Sequence, residues 1–267
     1  MSKYLTACDL DESLLTSKKT IRRKSRKFIQ KYLKKGNYFI LCTGRPYSGM
    51  IHFYEQLNIQ MPFITDNGAS IYYPDGKVIT WGINHERFKT FLKTIDETII
   101  CGISTVNKKV VIQNSDAVPS WIKHYNDVTS IKEGKLYELI DEDPILPNLW
   151  IHEDKIAFFE QEAQKYQDLF TYRNWGVYEG RYSIEIFATS ASKGQAMLYL
   201  ANELGIDKDK ICAFGDQWND LSMIEMAHYG VAMINGADIL KQATPYQTIK
   251  DNNHNGVVHY IKKHKLY

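Results

Sequence analysis

Residues Tyr4–Ser17 read YLTACDLDESLLTS, an apolar-leaning run that passes straight into a loop carrying Asp9, Asp11 and Glu12. YLTAC has the texture of a strand buried on both faces. Two aspartates one residue apart at its end are unfavourable unless something of opposite charge lies beside them. The remainder of the chain therefore has to supply that partner.

Outward from this stretch, strand and helix signals alternate. Thr20 is placed to cap a helix over the basic run IRRKSRKFIQKYLKK, which Gly36 stops. NYFILC follows as an almost continuously apolar strand, and Thr43-Gly44-Arg45-Pro46 opens a second helix with proline near its first turn. FIT is a third strand, and SIYYPDGKVITW reads as a hairpin about Pro74-Asp75-Gly76. Strands alternating with helices imply an α/β fold with a parallel sheet covered on both faces.

The texture changes between about residues 83 and 187. Helical stretches (HERFKTFLKTIDE, SWIKHYND, EQEAQKYQDLF) are interleaved with the strand candidates CGISTV, KKVVIQ, KLYELI and YSIEIF. An α+β module, residues 83–187, inserted into an α/β core of residues 1–82 and 188–267 accounts for this. After Ser190 the α/β pattern resumes with a helix in SKGQAMLYLANELG, a strand in KICAFGD and a helix in LSMIEMA. Two short strands, GVAM and YQTI, and a terminal helix in GVVHYIKKH complete it.

A length of 267 residues suits one large domain or two modest ones, and the net charge of +2 leaves no footprint for nucleic acid or an anionic membrane. In the basic run, Ile21, Phe28, Ile29, Tyr32 and Leu33 recur at helical spacing, so its cations form the solvated face of an amphipathic helix. No run approaches the ~20 apolar residues of a membrane span, and the N-terminus has no signal-peptide pattern. Cys8, Cys42, Cys101 and Cys212 are scattered, without metal-ligand spacing. A cytoplasmic location is expected.

In open parallel sheets, ligands bind beyond the carboxyl ends of the strands. Four polar clusters fall there: Asp9-Leu10-Asp11, Thr43-Gly44-Arg45, Lys193 at a helix start, and Gly215-Asp216-Gln217-Trp218-Asn219-Asp220. Each alone has a plainer reading, as loop acids, a turn, a surface lysine or an Asx-rich loop. Together, Asp9, Asp11, Asp216 and Asp220 demand a cation. Oxygen-only ligands point to a hard ion, and few protein carboxylates plus a phosphate favour Mg²⁺ over Ca²⁺. Lys193, Thr43 and Asn219 are donors suited to phosphate oxygens, so the set describes phosphoryl transfer. No G-x-x-x-x-G-K-[ST] loop occurs, which disfavours a nucleotide-dependent kinase.

DLDESLL, ILCTGRP, SASKGQA and FGDQWNDLSMI, in that order, resemble the four motifs of haloacid-dehalogenase-superfamily phosphatases of the Cof-type subgroup (subfamily IIB). TDNGASI, GVAMINGAD and DNNHNGV fit the same subgroup. The resemblance implies a Rossmann-like parallel core with an inserted α+β cap of the C2B type. It implies Asp9 as nucleophile and Asp11 as general acid and base. Thr43, Gly44, Leu10, Asn219 and Lys193 would bind the phosphoryl group, and Asn67-Gly68 would line the floor of the cleft. Asp9, Asp11 (through the Leu10–Asp11 backbone) and Asp216 would hold Mg²⁺, supported by Asp220.

The first motif departs from its usual Gly-Thr, having Glu12 and Ser13. Ser13 keeps the hydroxyl; Glu12 forfeits glycine's backbone freedom and reads as a solvent-facing loop residue. Trp218 is a bulky addition to the fourth motif. The cap is expected to select substrate and exclude water, with His124, His152, Arg173, Tyr178 and Arg181 as candidates. The expected activity is Mg²⁺-dependent hydrolysis of small-molecule phosphomonoesters such as sugar phosphates. The alternatives are a phosphomutase or a non-catalytic phospho-ligand-binding protein on the same fold.

Overall fold

A computed structural model describes residues 3–106, 109–119 and 129–267. In chain order its elements are β1 (Leu5–Cys8), α1 (Arg23–Lys34), β2 (Tyr38–Leu41), α2 (Tyr47–Leu57), β3 (Phe63–Thr65), β4 (Ser70–Tyr72) and β5 (Val78–Thr80). Then come α3 (His85–Ile95), β6 (Ile99–Val106), β7 (Lys109–Gln113), β8 (Ser130–Glu133), α4 (Leu136–Leu139), β9 (Asn148–His152), α5 (Ile156–Gln164), β10 (Phe170–Tyr178) and β11 (Arg181–Ala188). The chain closes with α6 (Lys193–Glu203), β12 (Ile211–Gly215), α7 (Leu221–Met226), β13 (Tyr229–Ala232), α8 (Asp238–Ala243), β14 (Tyr246–Gln247) and α9 (Gly256–Lys263). These elements form two compact units, Met1–Ile79 with Ser192–Tyr267, and Thr80–Ala191.

The first unit is organised by a five-stranded parallel sheet in the order β14-β13-β12-β1-β2. All four residues of β1 are buried, as a strand paired on both sides and covered on both faces requires. Leu5 lies opposite Ile211 of β12 on one side and Tyr38 of β2 on the other. The chain thus leaves β1 towards β2 and later returns on the β12 side. That reversal makes the carboxyl end of β1 a topological switch point, where open α/β sheets carry their ligands. Cys8, Leu41, Phe214 and Met233 pack with Ile29 and Tyr32 of α1, Met50 and Phe53 of α2, and Tyr260 and Ile261 of α9.

Helix α1 begins later than Thr20 would have it. Leu15 and Ile21 bridge in antiparallel fashion, and the Thr16 and Thr20 hydroxyls pair at 2.8 Å. Residues 15–21 are thereby closed into a small hairpin whose own bonds use Thr20, and Arg22 takes the cap position without a side-chain cap bond.

The second unit carries a six-stranded sheet in the order β10-β11-β9-β6-β7-β8. In β9, Leu149 and Ile151 join Phe88, Phe91, Leu92, Phe159 and Ile184 in one core, while Trp150 faces Cys101, Ile103 and Val110 in another. That is the two-residue alternation of a strand. KLYELI is a short helix, α4, rather than a strand: Ile140 N–H donates to the Leu136 carbonyl at 3.0 Å. Its alternation satisfied a strand pattern, but Leu136 alone of Leu136–Leu139 is buried. SWIKHYND lies outside the described residues. No helix among the described residues is long and apolar enough to cross a membrane.

Phe91 is fully buried, with ring centroids 4.8 Å from Phe170, 5.3 Å from Tyr166 and 5.9 Å from Phe159. Phe91→Ala is expected to cost about 3–5 kcal/mol through lost transfer energy and an uncollapsed cavity. Urea unfolding followed by tryptophan fluorescence checks this; a loss below about 1 kcal/mol would contradict the packing described.

Candidate active site

The Lys193 ammonium lies at the centre of the cluster at the carboxyl ends of β1 and β12. Its side chain is fully buried at the start of α6, with Nζ 2.7 Å from Asp9 Oδ1 and 2.6 Å from Asp220 Oδ1. Ser192 caps α6 by accepting from Gln195 N–H at 3.1 Å. A cation in a helix's first turn opposes the dipole, so the two carboxylates are what make its burial tolerable. Asp220 is held by its other oxygen, which accepts from the Asp216 and Gln217 backbone N–H groups at 2.9 and 3.1 Å. Ser13 donates its hydroxyl to Asp216 Oδ1 at 3.0 Å, so the hydroxyl retained in the first motif has a structural partner.

Asp9, Asp216 and Asp220 each offer one oxygen within 4.8 Å of the others, and all three are buried. Three carboxylates against one ammonium leave two uncompensated negative charges in low dielectric. Burial raises the Asp9 carboxyl well above the ordinary carboxylate range; Lys193 opposes this, and Asp220 and Asp216 add to it. Burial, then Asp220, pushes Asp216 up to about 6. Burial disfavours the Lys193 cation, but Asp220 and Asp9 outweigh it and keep the group charged. A divalent ion with a preference for oxygen fits this donor set: it matches the residual charge, and no His or Cys ligand competes.

The Asp11 side chain does not join these acids. Arg45 grips it as a fork, Nε to Oδ2 at 2.6 Å and Nη2 to Oδ1 at 2.8 Å, and Lys19 Nζ approaches Oδ1 at 2.9 Å. Burial acts to raise this carboxyl, but Arg45 and Lys19 prevail and hold it down at about 2. Thr43 is buried beyond β2, its hydroxyl accepting from Arg45 N–H at 3.1 Å. Gly44 lies against Asn67, whose Oδ1 would be 2.7 Å from any Cβ there. Asn219 donates to that same Oδ1 at 2.8 Å, which links the fourth cluster to the second. Asp66, Asn67 and Gly68 all have left-handed φ, and a Cβ on Gly68 would meet the Ser192 carbonyl at 2.2 Å. Glycine is therefore required where this loop lies against the start of α6.

Glu12 occupies left-handed backbone, φ 55°, the conformation that a glycine adopts freely. Its side chain faces a set of partners rather than open solvent alone: Lys19 at 3.2 Å, Ser17 at 3.3 Å and Asn252 at 3.0 Å. Leu10 is buried and its carbonyl accepts from Leu15 N–H at 2.8 Å. In the second unit, His152 ends β9 exposed and Tyr178 is exposed on β10. The Arg173 guanidinium stacks 3.5 Å from the Trp175 ring centroid, and Arg181 donates to the Ala117 carbonyl at 2.5 Å. His124 lies outside the described residues. Arg45, Lys19, Asn235 and Asn252 received no role from sequence, although three of them sit in stretches singled out there, TGR, MINGAD and DNNHNG.

A model of the haloacid dehalogenase-like hydrolase family matches residues 6–261. The chain belongs to that family. The 5-amino-6-(5-phospho-D-ribitylamino)uracil phosphatase YitU of Bacillus subtilis is 29% identical over 276 residues, covering 98% of this chain and 97% of that protein. A Thermotoga maritima protein of known structure superposes with a TM-score of 0.82 at 25% identity, over 98% of this chain and 97% of its own. A sugar phosphatase of haloacid dehalogenase subclass IIB superposes at 0.74 and 19% identity, over 99% and 100% of the two chains, a likeness of fold. The haloacid dehalogenase-like fold thus covers both units of this hydrolase.

With divalent ions chelated, the raised Asp216 sets a pH dependence of known sign. Between about pH 4 and 6 the folded state binds more protons at Asp216 than the unfolded chain does, so stability falls as pH rises through that window. Asp216→Asn is expected to reduce the slope, and so is excess Mg²⁺ with the native residue. Thermal unfolding from pH 4 to 7 in EDTA and in Mg²⁺ reads both effects; parallel curves would refute the charge account.

Proposed function

We propose that this hydrolase is a Mg²⁺-dependent phosphatase acting on small phosphomonoesters, such as sugar phosphates, through an aspartyl-phosphate on Asp9. The observation that carries the reading is the buried Lys193 ammonium between Asp9 and Asp220 beside the third acid, Asp216. Asp9, the Leu10–Asp11 backbone and Asp216 would hold Mg²⁺, with Asp220 behind them. When bound, the ion supplies charge neutralisation for the phosphoryl oxygens.

An Asp9 carboxylate oxygen bonds to phosphorus while the bond from phosphorus to the leaving alcohol breaks, and Asp11 gives that oxygen its proton. In the second half, water attacks the same phosphorus, Asp11 takes the water's proton, and the Asp9–phosphorus bond breaks to release phosphate. Thr43, the Gly44 N–H and Asn219 bind the phosphoryl oxygens, with Lys193 compensating charge on Asp9 and on the group in transit. Both Asp11 oxygens are paired with cations here, so proton donation requires the carboxyl to turn out of the Arg45 fork. The inserted unit, whose exposed Trp175 and Tyr178 offer flat apolar surface, is the proposed source of substrate choice.

Phosphate release across sugar, nucleotide and ribityl phosphates, with Mg²⁺ or EDTA, tests this. The expected result is Mg²⁺-dependent free phosphate, with Asp9→Asn lowering kcat more than about 10³-fold. Isomer exchange without free phosphate would indicate a mutase instead. Turnover no greater than that of Asp9→Asn on every ester would refute the enzyme reading.

A further inference from the structure

The short turn Asp66–Gly68, between β3 and β4, meets three of the four polar clusters at once. Its backbone clasps the second on either side of Gly44. Asn67 N–H donates to the Thr43 carbonyl at 3.2 Å, and Asp66 N–H to the Arg45 carbonyl at 3.0 Å. Gly68 lies against Ser192 and Lys193 at the start of α6. The Asn67 side chain reaches the fourth cluster, accepting at Oδ1 from Asn219 Nδ2 at 2.8 Å. Two features let it do so. Its backbone is left-handed, φ 57° and ψ 27°, which asparagine tolerates, and Gly44 has no Cβ to obstruct Oδ1.

We propose that Asn67 is a positioning residue for Asn219, holding its amide in the orientation that meets a phosphoryl oxygen. The inference rests on the phosphate-binding role given to Asn219 above. Asn219 is half-buried in a single turn, Trp218–Asp220, and the bond to Asn67 is the only one its side chain makes among the described residues. An amide nitrogen carries two hydrogens. Asn67 takes one and so fixes the rotation of the amide, which leaves the other for the ligand. The bond therefore persists while Asn219 binds. A donor set in place beforehand needs no ordering when the ligand arrives, and that saving appears as affinity. The pair is neutral on both sides, so its role involves no proton exchange.

A double-mutant cycle separates positioning from a general structural role. Asn67→Gly removes the acceptor, while glycine keeps the left-handed turn and its two backbone bonds. Asn219→Ala removes the donor. Calorimetric titration with inorganic phosphate in Mg²⁺ reads affinity, and phosphate release from an ester reads kcat/KM. In the native background Asn67→Gly is expected to lower both about tenfold; in the Asn219→Ala background the same change is expected to cost less than about twofold. Equal losses in the two backgrounds, or no loss from Asn67→Gly, would overturn the positioning role. So would an Asn219→Ala effect on phosphate affinity below about twofold. Failure of the wild-type protein to release phosphate from any ester, with the calorimetric cycle as expected, would overturn the phosphatase reading alone. Failure of the wild-type protein to bind phosphate would overturn both.

Discussion

An ammonium group fully removed from water is costly unless its charge is met at close range, and Lys193 meets two carboxylates within 2.7 Å. That requirement ties together segments nearly two hundred residues apart. Asp9 must emerge from β1, Asp220 from the turn after β12, and α6 must begin between them. The backbone permits it through close approaches that only glycine allows. A Cβ on Gly68 would strike the Ser192 carbonyl, and one on Gly194 would lie 2.5 Å from the Ser222 carbonyl. The parallel sheet aligns the strand ends, but the buried charge decides what stands at them.

Two charge clusters adjoin, and they are balanced differently. Asp11 and Glu12 are matched by Arg45 and Lys19, two acids with two cations, all partly exposed. Asp9, Asp216 and Asp220 are matched by one cation and are buried. The first cluster is complete as it stands. The second carries a deficit that desolvation magnifies, which is why Asp9 and Asp216 are pushed up while Asp11 is held down. Such divergence between neighbouring carboxyls is a recurrent basis for dividing labour among acids of one type.

Much of this was legible in the sequence because apolar runs and polar punctuation carry strong local signals. YLTAC, NYFILC and KICAFGD are strands because they are buried on both faces, and a buried parallel strand has no alternation to mistake. The grouping of Asp9, Asp216 and Asp220 followed from strand ends, and that of Lys193 from a helix start. What escaped were features set by partners remote in sequence. KLYELI alternates like a strand yet closes a helical turn, and Thr20 looks like a cap yet is spent on Thr16. The direction of the Asp11 side chain, away from Asp9, depends on Arg45 and on a lysine eight residues onward. No local pattern encodes such a choice.

Glu12 is where local preference and tertiary demand disagree most openly. Left-handed backbone costs a non-glycine residue roughly 1–2 kcal/mol, and a glycine there would escape that cost. The glutamate persists in that conformation because its surroundings over-determine it: an asparagine after β13 takes its carbonyl, while Asn252, Ser17 and Lys19 take its carboxylate. These partners come from three separate loops, so the turn after the first strand is tied to the far edge of the same sheet. A glycine would relax the turn and release the ties made by the carboxylate, keeping only the carbonyl bond from Asn235. The side chain therefore exchanges backbone ease for a fixed connection between the first-motif loop and the loops around it, and strain of this kind is expected beside reacting groups.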